Sequence, residues 1–256
     1  MVMEKNRMIT DKTVSLLKEQ ALLHETSSFI GADPVQFPHR YTVPADIEAS
    51  AFISAWMAYG SRKVFLGKLD MLHGIMDGWG GPAEFIRLYN SRKPLQALGV
   101  QPCDCLYRFY KWSDFDALCS RMCDAVAKFG SIEGILSSSA GLHENVESLL
   151  AFFDGVTGIP VPHSTSANKK LYMFLRWMVR RNSPVDFGIW SSMSPDELII
   201  PLDTHVFQQA TALGLTDRKN PDLKCAMQIT ESLRQVWPND PARGDFALYG
   251  MGIEQD

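Results

Sequence analysis

The segment Ile199-Ile-Pro-Leu-Asp-Thr-His-Val206 delivers one carboxylate, Asp203, to the start of a helix expected to run to about Leu213. Backbone N–H groups and the positive end of the helix dipole favour an ionised acid there, and the apolar approach holds it away from bulk water. Two readings are open. Asp203 is a helix N-cap contributing about 1 kcal/mol of stability, or it is a catalytic carboxylate. Upstream, Lys169 and Lys170 open a helix expected over 167–181. Cations at a helix N-terminus oppose the dipole. They sit there either as a solvated first turn or because a desolvated, neutral amine is a nucleophile.

Other chemistry has less support. Cys103-Asp-Cys105 and Cys119-x-x-x-Cys123 hold four thiols, but neither spacing is that of a zinc ribbon. One helical turn between Cys119 and Cys123 suits core residues, so buried thiols and no metal are expected. The six histidines are dispersed, and no H-E-x-x-H pair occurs; His205, with Thr204, is expected to support Asp203 by orienting its loop. No P-loop, dinucleotide fingerprint or Gly-x-Ser-x-Gly elbow is present, and no cofactor is expected. Aromatic residues stand beside basic ones around Tyr59, Ser61, Arg62 and Lys63, in Tyr107-Arg-Phe-Tyr-Lys-Trp112, and at Trp177 near Arg180. Such mixtures stack bases and bind phosphates, or are core aromatics with incidental neighbours.

The elements that must position these residues are helices. Apolar residues recur at helical spacing over 11–31, 47–59, 63–76, 83–89, 114–129 and 146–153, then over 167–181, 203–213, 224–237 and 245–251. Asp46 is a candidate N-cap for the second of these, and Ser166 or Thr165 for the helix at 167–181. On that helix Leu171, Phe174, Leu175 and Met178 define a buried face, while Lys169, Lys170, Arg176 and Arg180 are expected on its outer sides. Pro34, Pro38 and Pro44 forbid a helix before the second run. Residues 90–105 read as loop. No alternating strand pattern of useful length occurs, so the expected class is all-α.

With 256 residues, 46% apolar and 21% charged, the chain can bury a substantial core. No apolar run approaches a membrane span. The charged beginning, Met-Val-Met-Glu-Lys-Asn-Arg-Met8, lacks the apolar core of a secretion signal, and five cysteines form an odd set that suits reduced thiols. A cytoplasmic location and a monomer are expected. The net charge of −4 means that any nucleic-acid binding must come from a local basic patch.

Lys169-Lys170 at a helix start, followed by Leu202-Asp203-Thr204-His205-Val206 at the next, resembles the helix-hairpin-helix (HhH-GPD) DNA glycosylase superfamily. There a helix opening with a catalytic lysine precedes an apolar segment ending in an essential aspartate. Apolar residues at Leu171, Met173, Phe174 and Leu175 match the family's helix when Lys169 is taken as the lysine. Asp245-Phe-Ala-Leu-Tyr-Gly-Met-Gly252 is similar to the family's late helix, and Glu48-Ala-Ser-Ala-Phe-Ile-Ser-Ala55 to the helix before its DNA-intercalating loop. More closely, Asp46-Ile-Glu48, Ala58-Tyr-Gly-Ser-Arg62, Phe174-Leu-Arg-Trp-Met-Val-Arg180 and Ile200-Pro-Leu-Asp-Thr-His-Val206 resemble a bacterial family of conserved hypothetical proteins of unestablished function.

The resemblance has departures. The glycine hairpin before the lysine is replaced by His163-Ser-Thr-Ser-Ala-Asn168, and residues 181–198 lengthen the lysine-to-aspartate spacing to 34. An archaeal 8-oxoguanine glycosylase branch has a similarly long connection. Only Cys225 lies in the last third, which excludes the iron–sulfur cluster of some members.

What the resemblance implies is a single domain over 1–256 in two lobes with a cleft between them: 1–62 with 200–256, and 63–199 including the lysine-bearing helix. It implies excision of a damaged or modified DNA base, with Asp203 and Lys169, or else Lys170, as catalytic residues and strand elimination through a Schiff base. Tyr59, Ser61, Arg62, Ser166, Arg176 and Arg180 are then the expected DNA contacts. The rival is a non-catalytic helical protein that binds nucleic acid or protein on the same scaffold.

Overall fold

The computed structural model describes residues 8–253. Along the chain the helices are α1 (Asp11–His24), α2 (Ser27–Ile30), α3 (Pro44–Met57), α4 (Arg62–Asp77), α5 (Pro82–Arg92), α6 (Pro94–Ala97), α7 (Trp112–Phe129), α8 (Leu142–Phe152), α9 (Lys169–Val179), α10 (Thr204–Ala212), α11 (Leu223–Arg234) and α12 (Gly244–Ile253). The one sheet among the described residues is an antiparallel hairpin of β1 (Cys105–Tyr107) and β2 (Tyr110–Lys111). The class is all-α. No helix among the described residues is long and apolar enough to cross a membrane. The beginning of the chain, read above for a secretion signal, lies outside the described residues as far as position 7.

Several local expectations change for identifiable reasons. The run expected over 11–31 breaks after His24, where the hydroxyls of Thr26 and Ser28 hydrogen-bond each other at 2.7 Å rather than continue a helix. Asp46 is not the cap of its own helix. Helix α3 starts earlier, at Pro44, and Asp46 Oδ1 instead accepts from the Ala83 N–H at 2.8 Å, capping α5 from the side. Gly81, with φ +108, lies close enough to Asp46 that a Cβ would crowd the carboxylate. The stretch read as loop holds the single turn α6. Strands β1 and β2 are too short for an alternating pattern to show.

Two compact units emerge. One holds the described residues up to Phe29, then Thr165–Gly188 and Met193 onward; the other holds Ile30–Ser164 with Ile189–Ser192. These boundaries differ from the lobes expected from the sequence: α3 belongs with the central helices, and the lysine-bearing helix α9 with the terminal ones.

In the first unit α12 packs on both α1 and α10. A Cβ at Gly250 would overlap the His24 ring, and one at Gly252 would come within 2.7 Å of His205 Cβ, so the glycines of Tyr249-Gly-Met-Gly252 permit the close approach. Leu17, Ile200, Val206, Ile229, Leu233 and Leu248 fill the space between these helices.

The second unit has an aromatic core. The Trp56 and Tyr110 rings lie 4.1 Å apart, and Phe85 and Phe115 are fully buried near them. Its chain ends are stitched in by carboxylates. Buried Glu48 accepts from the N–H groups of Ile132 and Glu133 and from Trp190 Nε1, while Glu133 accepts from those of Ser191 and Ser192. Burial raises the Glu48 carboxyl above its ordinary range despite these donors.

Candidate functional site

Helix α9 carries the site, and its sequence explains why it is placed at the centre of its unit. Every residue from Leu171 to Arg180 is buried. A helix that is hydrophobic on nearly all sides cannot lie on a surface. Its two interior arginines are therefore not the outer basic face expected from the sequence; both are only 2% exposed. Arg176 pairs with Asp245 and, at 3.2 Å, with Asp186. Arg180 pairs with Asp186, with Glu25 at 2.7 Å and with Asp240 at 2.8 Å. Beneath them lies the Phe246 ring, 4.5 Å from the Arg176 guanidinium and 5.3 Å from that of Arg180. Removing these charges from water is tolerable only because each has carboxylate partners. As DNA contacts they are excluded by burial.

Residues 181–198 complete this network rather than decorate the surface. The N–H groups of Phe187 and Gly188 donate to the Trp177 carbonyl, folding the chain back along α9. Gly188 adopts φ +59 and lies against the Arg180 carbonyl, where a Cβ would come within 2.7 Å. That turn returns Asp186 to both arginines.

At the other end of α9 the network reaches the surface. Lys169 Nζ lies 3.0 Å from Asp203 Oδ2, with side-chain exposures of 36% and 14%. The second oxygen of Asp203 accepts from the Val206 N–H at 2.9 Å, so one carboxylate caps α10 and holds the lysine. Asp203 is thus both the N-cap of α10 and the ion-pair partner of Lys169. Lys170, next along and partly buried, has its amine pushed down to about 8 by burial and by the charge of Lys169. Buried Asp245 feels both members of the pair. Burial, with the charges of Asp203 and Asp186, raises it to about 7 against the opposing pull of Arg176 and Lys169.

The remaining candidates divide. Thr204 is exposed at the first position of α10, and the His205 ring stands edge-on to Tyr249 with centroids 6.3 Å apart. Ser166 does not cap α9. The cap position is Asn168, in left-handed geometry at φ +46, and Ser166 Oγ accepts from its N–H at 3.2 Å. Ser166 also bridges to Asp222, beside the bond from the Leu223 N–H to the Thr165 carbonyl. This tie replaces the expected hydroxyl cap.

Tyr59, Ser61 and Arg62 lie in the other unit, where Tyr59 is 46% exposed and Ser61 precedes α4. Cys119 and Cys123 are buried as expected, whereas Cys103 and Cys105 are exposed. Sequence reasoning missed Asp186 and Asp240 altogether and noticed Asp245 only inside a motif. The available signal was Arg176 and Arg180, one turn apart on an otherwise apolar helix, which demands buried acids from elsewhere.

Residues 33–254 match a family described as protein of unknown function (DUF2400). No curated protein and no solved structure matches the chain.

Proposed function

The chain belongs to the DUF2400 family, whose function is unknown, and from the site itself we propose that it is a DNA base-excision glycosylase with lyase activity. The observation that carries this reading is the Lys169–Asp203 pair, an amine 3.0 Å from a carboxylate at the start of a helix, both reachable from solvent. The resemblance of both segments to helix-hairpin-helix DNA glycosylases supports it.

The proposed chemistry uses this pair. A target base must leave the stack before its bond to the sugar can be reached. Asp203 takes a proton from the Lys169 ammonium, and the neutral nitrogen forms a bond to the sugar C1′. The N-glycosidic bond breaks, and the base departs with the electron pair and takes the proton from Asp203, which returns to its carboxylate form. The carboxylate stabilises the positive charge that develops on the sugar. Ring opening gives a Schiff base, and loss of the C2′ proton then expels the 3′ phosphate. Lys170 is the second candidate amine, because about a tenth of it is neutral at pH 7 when its pKa is about 8.

Borohydride trapping on duplexes carrying oxidised, alkylated, deaminated and abasic nucleotides tests the assignment. Wild type forms a covalent adduct, and Lys169→Gln does not. Absence of any adduct across the panel would end the lyase reading.

The second reading is a non-catalytic binding protein on this scaffold, and one observation favours it. Asp203 is fully engaged by its cap and its lysine, as a purely structural ion pair would be. DNA binding without base release or adduct would establish that reading.

A further inference from the structure

The tip of the β1–β2 hairpin is built from residues that a tight turn does not want. Two residues, Arg108 and Phe109, connect the paired positions Tyr107 and Tyr110. Loops of this length favour Asn-Gly or Gly-containing pairs, because positive φ is needed. Arg108 nevertheless sits at φ +53, a conformation that strains a side chain with a Cβ. The strands beside the tip are ordinary: Tyr107 and Tyr110 are buried, and their hydroxyls donate to the carbonyls of Tyr59 at 2.7 Å and Trp56 at 3.2 Å. Packing fixes the flanks, and the tip leans on them: the Phe109 ring lies 4.4 Å from that of buried Tyr110.

What the tip presents is a cationic aromatic surface. Phe109 is 51% exposed, and its ring lies 5.4 Å from that of Tyr59, itself 46% exposed. The Arg108 guanidinium stands over the Tyr59 ring, 5.2 Å from its centroid. A Cβ at Gly60, where φ is +80, would collide with the Arg108 side chain, so glycine there lets the guanidinium lie down on the loop. Lys63 and Lys111 are exposed nearby in the chain. Two half-exposed rings and a planar cation lying on one of them match the faces of nucleobases and the phosphates between them.

The geometry points to Phe109, Tyr59 and Arg108 as a surface that stacks on unpaired nucleobases of a DNA strand. It rests on the nucleic-acid reading above, but it concerns binding and does not need the Lys169 chemistry. Stacking tolerates any base, so the surface selects unstacked structure rather than sequence.

The test uses the full chain and three fluorescein-labelled probes at low salt: a 20-nucleotide single strand, an intact duplex, and the same duplex with a one-nucleotide gap. Wild type binds the single strand and gapped duplex more tightly than the intact duplex. Phe109→Ala lowers affinity for the first two by about tenfold, Tyr59→Ala does the same, and Phe109→Trp restores it. Phe109 is exposed, and circular dichroism of its variants should match wild type. A 2-aminopurine placed in the strand should be quenched by wild type and not by Phe109→Ala.

Equal binding by wild type and both alanine variants overturns the proposal. So does equal preference for intact and gapped duplex, or no DNA binding at all, as a surface for a protein partner would give. The binding titrations use undamaged DNA and no borohydride, so a failure of the excision chemistry is read separately from a failure of this surface.

Discussion

Asp203 makes two contacts with one side chain, a helix cap and an ion pair with Lys169, and substitutions can separate them. Asp203→Asn keeps an oxygen for the Val206 N–H but loses the charge facing Lys169. On the excision reading it should abolish base release while costing no more than about 1 kcal/mol, because the cap survives and a partly exposed ion pair is worth little. Urea denaturation beside a glycosylase assay checks both parts. If Lys170 supplies the attacking amine, adduct formation should rise with pH and level off near its pKa of about 8, and Lys170→Gln rather than Lys169→Gln should remove it. Asp245 gives a different pH signature. A carboxyl raised to about 7 in the folded protein binds its proton more tightly than in the unfolded chain. Its stabilising contribution is therefore complete below pH 4 and is lost as pH rises through 7. The stability of wild type relative to Asp245→Asn should decline across that window, as read from urea midpoints. The Asp203 helix start was legible because an apolar run ending in Asp-Thr leaves few alternatives. The partner of Asp203 was not, since the 34 residues back to Lys169 fix no distance in space.

Helix α9 shows where pattern reading fails. Its apolar positions were visible, but an arginine is ordinarily taken to mark a solvent face, and on this helix two arginines point inward to four acids from other segments. Sequence periodicity reports what a helix buries only when charge is left outside. Asp186 comes from a stretch that read as insertion, Asp240 from a loop and Glu25 from the end of α1. Removing one cation strands several anions. Arg180→Met should cost about 3–5 kcal/mol, measured as a loss of denaturation midpoint, and should far exceed any effect of the same change at exposed Lys63. The α3 helix carries a milder version of the same lesson. Glu48 was noticed only within a motif, and its role appears once Ile132, Glu133 and Trp190 converge on it. Glu48→Gln places an amide where an acceptor is required. The loss should be about 1–3 kcal/mol.

A protein with net charge −4 must concentrate its cations if it binds DNA, and burial has taken Arg176 and Arg180 out of that account. Among the other cations named above, Lys169 and Lys170 in one unit and Arg62 in the other are partly exposed, and Arg108 is exposed. Lys169 is already neutralised by Asp203. On the DNA reading these cations give at most three or four phosphate contacts, against the six to ten of strongly salt-dependent binders. Counterion release at about 0.9 per contact then gives a slope of log affinity against log salt near −3, or about 40- to 150-fold between 50 and 200 mM salt. Fluorescence titration across that range measures it. Combined charge reversal at Arg62 and Lys170 should flatten the slope by about one to two and weaken binding to any duplex alike. Arg176→Met should act otherwise: affinity per folded molecule holds its slope while the folded fraction falls. A slope unchanged by the double reversal would place the DNA elsewhere on the molecule, and a slope changed by Arg176→Met in fully folded protein would contradict its burial.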